Sequence, residues 1–304
     1  MRNRWLIAGF AGVVASMAAM TAGATEKDDP LLRPIAADYA RRWLEPQVPF
    51  RIFGQSYMVG FQGLGVGLIR TSKGLILIDG AVPQSVPALE ANIHQLGFAL
   101  RDIKYILSTE PHYDHAGGIA ALARDTGATV LAGTGAIEAL RSGQPDRDDP
   151  QATILPSQPG IARLRAVRDG ERIQLGDTVV TAIATPGHTA GSTSWAWRSC
   201  EGKRCLDIVF AASLNAVSAD GYRFSDAVHR DIVASFRRSF ARMRALPCDI
   251  LLTSHPDQPQ TKDRAAQLAR SRTPNPFVER SGCRAYADSR EKALAERMSK
   301  EAGG

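Results

Sequence analysis

Cysteine is absent before position 200, and the 304-residue chain holds only four. No block of five or six Lys/Arg occurs, so the formal charge of +6 is spread along the chain and does not mark a nucleic-acid surface. The 27 glycines and 17 prolines follow no period, which excludes collagen-like and low-complexity chains. No fixed-period repeat appears, and no stretch beyond the first two dozen residues is apolar enough to span a bilayer. With 44% hydrophobic and 22% charged residues, the chain has the composition of a folded protein of one large or two modest domains.

Arg2 and Arg4 precede a mostly apolar run from Trp5 to Met20, followed by Ala22-Gly23-Ala24. A basic start, a short apolar stretch and small residues at A-x-A spacing describe a secretory signal peptide, cleaved after Ala24. The alternative, a membrane anchor, would need about 20 strongly apolar residues, and this run is shorter and diluted by small ones. Cleavage removes two arginines and leaves a net charge of +4. The expected product is periplasmic, a single domain over residues 25–304, without stable membrane association and monomeric by default.

Cys200 and Cys205 flank Glu-Gly-Lys-Arg, which reads as a turn between two strands, and Cys248 and Cys283 remain. Four cysteines allow three connectivities, and the sequence alone does not choose among them. Their spacing is wrong for the usual zinc pattern, and an oxidising compartment favours disulfides over free thiols. The expected bridges are 200–205 and 248–283.

Short β-rich segments are predicted at 57–59, 65–70, 75–78, 103–107, 129–132, 162–167, 172–175, 179–184, 193–197, 206–211 and 250–253. Helices are predicted at 35–44, 83–96, 118–124, 136–140, 230–245, 262–270 and 289–297. A polar stretch containing Pro145, Pro150, Pro156 and Pro159 reads as a long loop or insertion across one face. A strand-rich run, helix and strand thus occur twice. The simplest architecture is an α+β, four-layered αββα sandwich: two mixed sheets flanked by helices. A doubly wound nucleotide-binding fold is disfavoured, because the glycines from Gly63 to Gly67 lack G-x-G-x-x-G and sit between strands.

Of six histidines, four sit in compact polar motifs. Glu110-Pro111-His112-Tyr113-Asp114-His115 follows the strand at 103–107. In extended chain, residues two apart project to one side, so Glu110 and His112 can share a metal, and Pro111 biases Glu110 toward that geometry. Asp114 and His115, past a turn, can address a second. His188 lies in Thr185-Pro186-Gly187-His188-Thr189, and His255 follows the strand at 250–253. Imidazole and carboxylate are the donors of catalytic zinc, and two zincs can polarise one carbonyl and activate one water. His94 and His229, in or beside helices without polar company, read as structural or surface residues.

These motifs resemble the metallo-β-lactamase superfamily over most of the mature chain. Its H-x-H-x-D-H signature is matched by His112, Asp114 and His115, with Glu110 in place of the first histidine. His188 and His255 match the later histidine motifs, and Asp79 the strand-then-Asp before the first sandwich helix. The Q-x-Y-x-V-G segment from Gln55 to Gly60, and histidine rather than cysteine in the second site, resemble subclass B3, which often carries two disulfides. The resemblance implies two zincs per chain. Glu110, His112 and His188 would hold the first, and Asp114, His115 and His255 the second. It also implies hydrolysis of a small-molecule β-lactam by metal-held hydroxide, oriented by Asp114. A wall beside the second site reads Ser213-Leu214-Asn215, with Asn215 where a hydroxyl is usual; its amide can still donate to a substrate carboxylate. The Glu110 oxygen should make the first site the weaker one. Alternatives are a lactonase or glyoxalase of the same fold, whose bridging Asp is missing at the 210–215 strand end, and a catalytically silent zinc-binding protein.

Overall fold

Along residues 74–78 the side chains alternate between two apolar layers, and the same alternation recurs through the molecule. The computed structural model describes residues 29–255 and 261–303; the signal peptide expected at 1–24 lies outside them. One mixed sheet has seven strands in sequence order: β1 (Phe50–Phe53), β2 (Ser56–Met58), β3 (Gly67–Thr71), β4 (Gly74–Ile78), β5 (Ile103–Leu107), β6 (Thr129–Gly133) and β7 (Leu164–Val167). Its β1–β4 half is antiparallel and its β4–β7 half parallel. The second holds β8 (Arg172–Leu175), β9 (Thr178–Ala184), β10 (Thr193–Glu201), β11 (Arg204–Ala211) and β12 (Ile250–Thr253), in the order β12-β11-β10-β9-β8. Only β11 and β12 pair in parallel there.

The helices are α1 (Ala37–Ala40), α2 (Val86–Gln95), α3 (Tyr113–Ala116), α4 (Ile119–Thr126), α5 (Ile137–Ser142), α6 (Arg230–Ala245), α7 (Thr261–Arg270) and α8 (Gly282–Gly303). Parallel neighbours need a crossover, and α2, α4, α5 and α6 supply them between β4–β5, β5–β6, β6–β7 and β11–β12.

Period-two side chains sort into three apolar layers. Leu75 and Leu77 of β4 pack outward with Leu89, Ile93, Ile119 and Leu122 of α2 and α4. Ile76 and Ile78 face the other way and meet Trp195, Ile208, Phe210 and Leu252 between the sheets. Val209, Ala211 and Leu251 pack outward again, against Val233, Phe236 and Phe240 of α6 and Tyr286 and Leu294 of α8. Each such large side chain contributes roughly 1.5–3 kcal/mol of burial. The result is the expected αββα sandwich.

Both disulfides form as expected. Cys200 and Cys205 stand directly opposite across the β10–β11 hairpin, and Cys248–Cys283 ties the chain before β12 to the first turn of α8. Some elements differ from the sequence expectation. The helix expected at 35–44 shrinks to α1 and a 3₁₀ turn at Arg41–Trp43, because Ala36 enters at φ +45°. Strand β1 was not anticipated, and α8 runs well beyond 289–297 at both ends. β7 joins the first sheet through its parallel pairing with β6, although in sequence it stands with the second run of strands.

Candidate metal centre

Five strands end on one rim of the sandwich, and each hands one part of the site to it. Asp79 follows β4 in left-handed backbone at φ +67° and is fully buried. Its carboxylate accepts from Thr109 N and Thr109 Oγ1, both at 2.7 Å. Thr109 O in turn accepts from Thr193 N at 2.7 Å, and Trp195 Nε1 donates to Ser108 O at 3.3 Å. The chain leaving β5 is thereby clamped between the two sheets just before Glu110. His112 precedes the single turn of α3, which carries the buried Asp114 and His115. After β9, Gly187 has φ +143°, and a Cβ there would lie 2.6 Å from Cδ1 of Phe236. Glycine therefore lets the turn bearing His188 press against α6. His255 follows β12.

Each of the four histidines turns one ring nitrogen outward to a protein acceptor and the other inward. His112 Nε2 donates to Asp149 Oδ2 at 3.0 Å, and His188 Nδ1 to Asn215 O at 2.8 Å. His255 Nδ1 donates to Gly63 O at 3.3 Å, and His115 Nδ1 faces Asp79 Oδ2 at 3.6 Å. Such partners set the tautomer of metal-binding imidazoles. His112 Nδ1 and His188 Nε2 then face each other across 3.2 Å, close enough to share one proton or one cation. Glu110 Oε1, fully buried beside them, has no hydrogen-bond partner. Two donor sets result, Glu110-His112-His188 and Asp114-His115-His255, each with its ligand atoms within 4.8 Å of one another. The nitrogen and carboxylate donors, their mutual spacing and the orphaned Glu110 oxygen all suit two zinc ions.

The electrostatics follow from like and unlike charges in a buried site. Burial alone would raise Glu110, but His115, His188 and His112 outweigh it and hold the carboxyl at about 2. Burial likewise opposes ionisation of Asp114, yet His115 and His255 bring it far below the usual carboxylate range. Burial disfavours charge on His115, but Asp114 and Glu110 push it well above the ordinary histidine value. Burial dominates at His188 and His255, which are both lowered. It also dominates at Asp79, which is raised. Against its burial, His112 is raised by Asp149 and Glu110. Two ionised, buried carboxylates among four histidines make a centre prepared for cations.

Above the donors lies a groove of about 520 Å³. Tyr39 and Trp43 form one wall and Ile154, Leu155 and Pro156 of the 143–160 loop the other. The Trp43 ring sits 5.7 Å from that of His255.

All six expected ligands converge here. Asn215 lines the groove and its backbone holds His188, whereas Ser213 is buried, gives its backbone N–H to Glu110 Oε2 at 2.9 Å and leaves Oγ without a partner. His94 and His229 lie apart; His229 stacks on Tyr222 at 3.8 Å. Sequence reasoning missed Asp149. The only signal was its place in a proline-rich polar stretch, where nothing distinguishes it from Asp146 or Asp148.

A family model described as the metallo-β-lactamase superfamily matches residues 66–255. Among solved structures, the chain is 51% identical to a B3 metallo-β-lactamase described as the first with an active site glutamic acid. That likeness has a TM-score of 0.82 and covers 90% of this chain and 98% of that one. BJP-1, a subclass B3 metallo-β-lactamase of Bradyrhizobium japonicum, is 34% identical with a TM-score of 0.79, over 87% of this chain and 98% of its own. Among curated proteins, the hydroxyacylglutathione hydrolase of Rhodospirillum rubrum is 30% identical over 143 residues, 47% of this chain and 46% of that protein. The chain thus spans about half the length of that curated relative.

Proposed function

The chain belongs to the metallo-β-lactamase superfamily, a family of zinc-using hydrolases, and from that premise we propose that it hydrolyses the strained amide of β-lactams at a di-zinc centre. Glu110, His112 and His188 would hold the first zinc and Asp114, His115 and His255 the second. Bound there, zinc would supply Lewis acidity toward the lactam carbonyl and activation of water near neutral pH. The chain's own residues position the reaction. Asp114 orients the attacking water and accepts its hydrogen bond. Asn215, on the groove wall, donates its amide to the substrate carboxylate, and the Ser213 hydroxyl, with no protein partner, is free to hold water or substrate. Trp43 and Leu155 cover the apolar parts of the substrate and exclude bulk water. The first site would be the weaker of the two, since an oxygen donor favours zinc less strongly than the imidazole usual at that position.

The observation that carries this reading is Glu110 inside the metal centre, together with near-full-length likeness to a B3 enzyme with an active-site glutamate. The decisive experiment is hydrolysis of a penicillin, cephalosporin and carbapenem panel with and without chelator, beside an S-acylglutathione thioester. Chelator-sensitive β-lactam turnover that returns with zinc is expected. Thioester cleavage alone would transfer the function to the curated relatives' reaction, and zinc binding without any turnover would leave a silent metal protein. We also infer export with cleavage after Ala24, supported by the two disulfides, which persist in oxidising compartments.

A further inference from the structure

Glu110 differs from an imidazole in more than charge. Its two oxygens have separate tasks. Oε2 is occupied by the backbone N–H of Ser213 at 2.9 Å, which fixes the carboxylate plane from the end of β11. Oε1 is left as the one metal-facing atom, and it stands between the two donor sets. It lies 3.4 Å from His188 Nε2 and 3.9 Å from His112 Nδ1 on one side, and 3.1 Å from His115 Nε2 on the other. Two donors on one tetrahedral zinc, with bonds of 2.0–2.1 Å, sit about 3.3 Å apart. All three separations fall around that value, so Oε1 is within ligand spacing of members of both sets. Asp114 behaves differently: its Oδ2 lies 3.4 Å from His115 and 3.5 Å from His255, wholly within the second set.

We propose that Glu110 Oε1 is a bridging donor shared by both metal sites, a reading that rests on the two sets being a zinc centre. An inward imidazole nitrogen offers one lone pair along one direction and can serve one ion only. A carboxylate oxygen offers two, and this one is buried, oriented and faces only the histidines of the two donor sets. The chain has no carboxylate at the 210–215 strand end, so Glu110 couples the sites from the opposite side, through β5 rather than β11. Its charge is then divided between two cations instead of weakening the first alone.

The test measures metal affinity in the full-length mature protein, with zinc or cobalt(II) titrated against a competing chelator. In a His188→Ala background, which disables the first set, a bridging Glu110 still supports the second. Adding Glu110→Gln or Glu110→His to that background should weaken the remaining site by about tenfold or more, with cobalt(II) absorption changing at that site. Two variants of different shape guard against a single misfolded one. Unchanged second-site affinity and spectrum in both would overturn the proposal and reduce the Glu110–His115 contact to an ion pair of the metal-free chain. Because no substrate enters this experiment, its failure is separate from failure of the β-lactam reading.

Discussion

Asp149 decides which nitrogen of His112 faces the donor cluster. Its side chain is almost wholly buried at 3% exposure, and it reaches His112 from 37 residues away in a loop that also forms one wall of the groove. Outer partners of this kind are worth 10–100-fold in metal affinity. Asp149→Ala should therefore lower first-site zinc affinity by about that factor, while Asp149→Asn, which keeps an acceptor, should lose less. Competition titration of both variants checks this, and equal affinities across wild type and Asp149→Ala would remove Asp149 from the site. His115 supplies a second prediction. In the metal-free chain its proton is held by Asp114 and Glu110, with the pKa raised well above 6.5. Zinc must displace that proton, so second-site affinity rises with pH until His115 deprotonates and falls as pH falls. Calorimetric titration in buffers of different ionisation enthalpy should show proton release on binding; binding without release near neutral pH would count against a charged His115.

At the scale of elements, the site depends on how strand ends are terminated. The turn after β9 is the most constrained of them, because Gly187 sits at φ +143° against the Phe236 ring. Gly187→Ala should cost about 1–3 kcal/mol in backbone strain and shift His188, lowering first-site zinc content as well as melting temperature. A variant that keeps both would show that the turn has room to relax. Several elements were legible in advance because their signals are local. β8, β12 and α6 have the expected bounds, each bordered by glycine, proline or a change of periodicity. α1 and α8 were not. Four residues of α1 turn on the positive φ of Ala36, and α8 extends to 22 residues through packing against α6 and β12 rather than through a long apolar period.

For the molecule as a whole, the two bridges and the proposed export with cleavage after Ala24 make one joint prediction. Protein recovered from the periplasm should begin at Thr25 and weigh four hydrogens less than the reduced chain, since both cysteine pairs are joined. Free thiols, or a mass that includes Arg2 and Arg4, would refute the export reading. No helix among the described residues is long and apolar enough to cross a membrane.

The six candidate donors were legible in the sequence alone, because a metal-binding pattern is written in residue type and short spacing: Glu110 to His115 is one uninterrupted motif, and His188 and His255 each follow a strand with turn residues beside them. The Cys200–Cys205 bridge was similarly local, a hairpin across a turn. What only the tertiary structure decided lies between residues far apart in the chain. The assignment of β7 to the first sheet, the Asp149–His112 contact, and the division of Glu110 between Ser213 N, 103 residues away, and the two histidine sets are of this kind. Alternation and turn signals specify which face of a strand is apolar. They carry no information on where one strand end lands against another, and that offset, set by the packing of two sheets through Trp195 and Phe210, is what places Oε1 between the two donor sets.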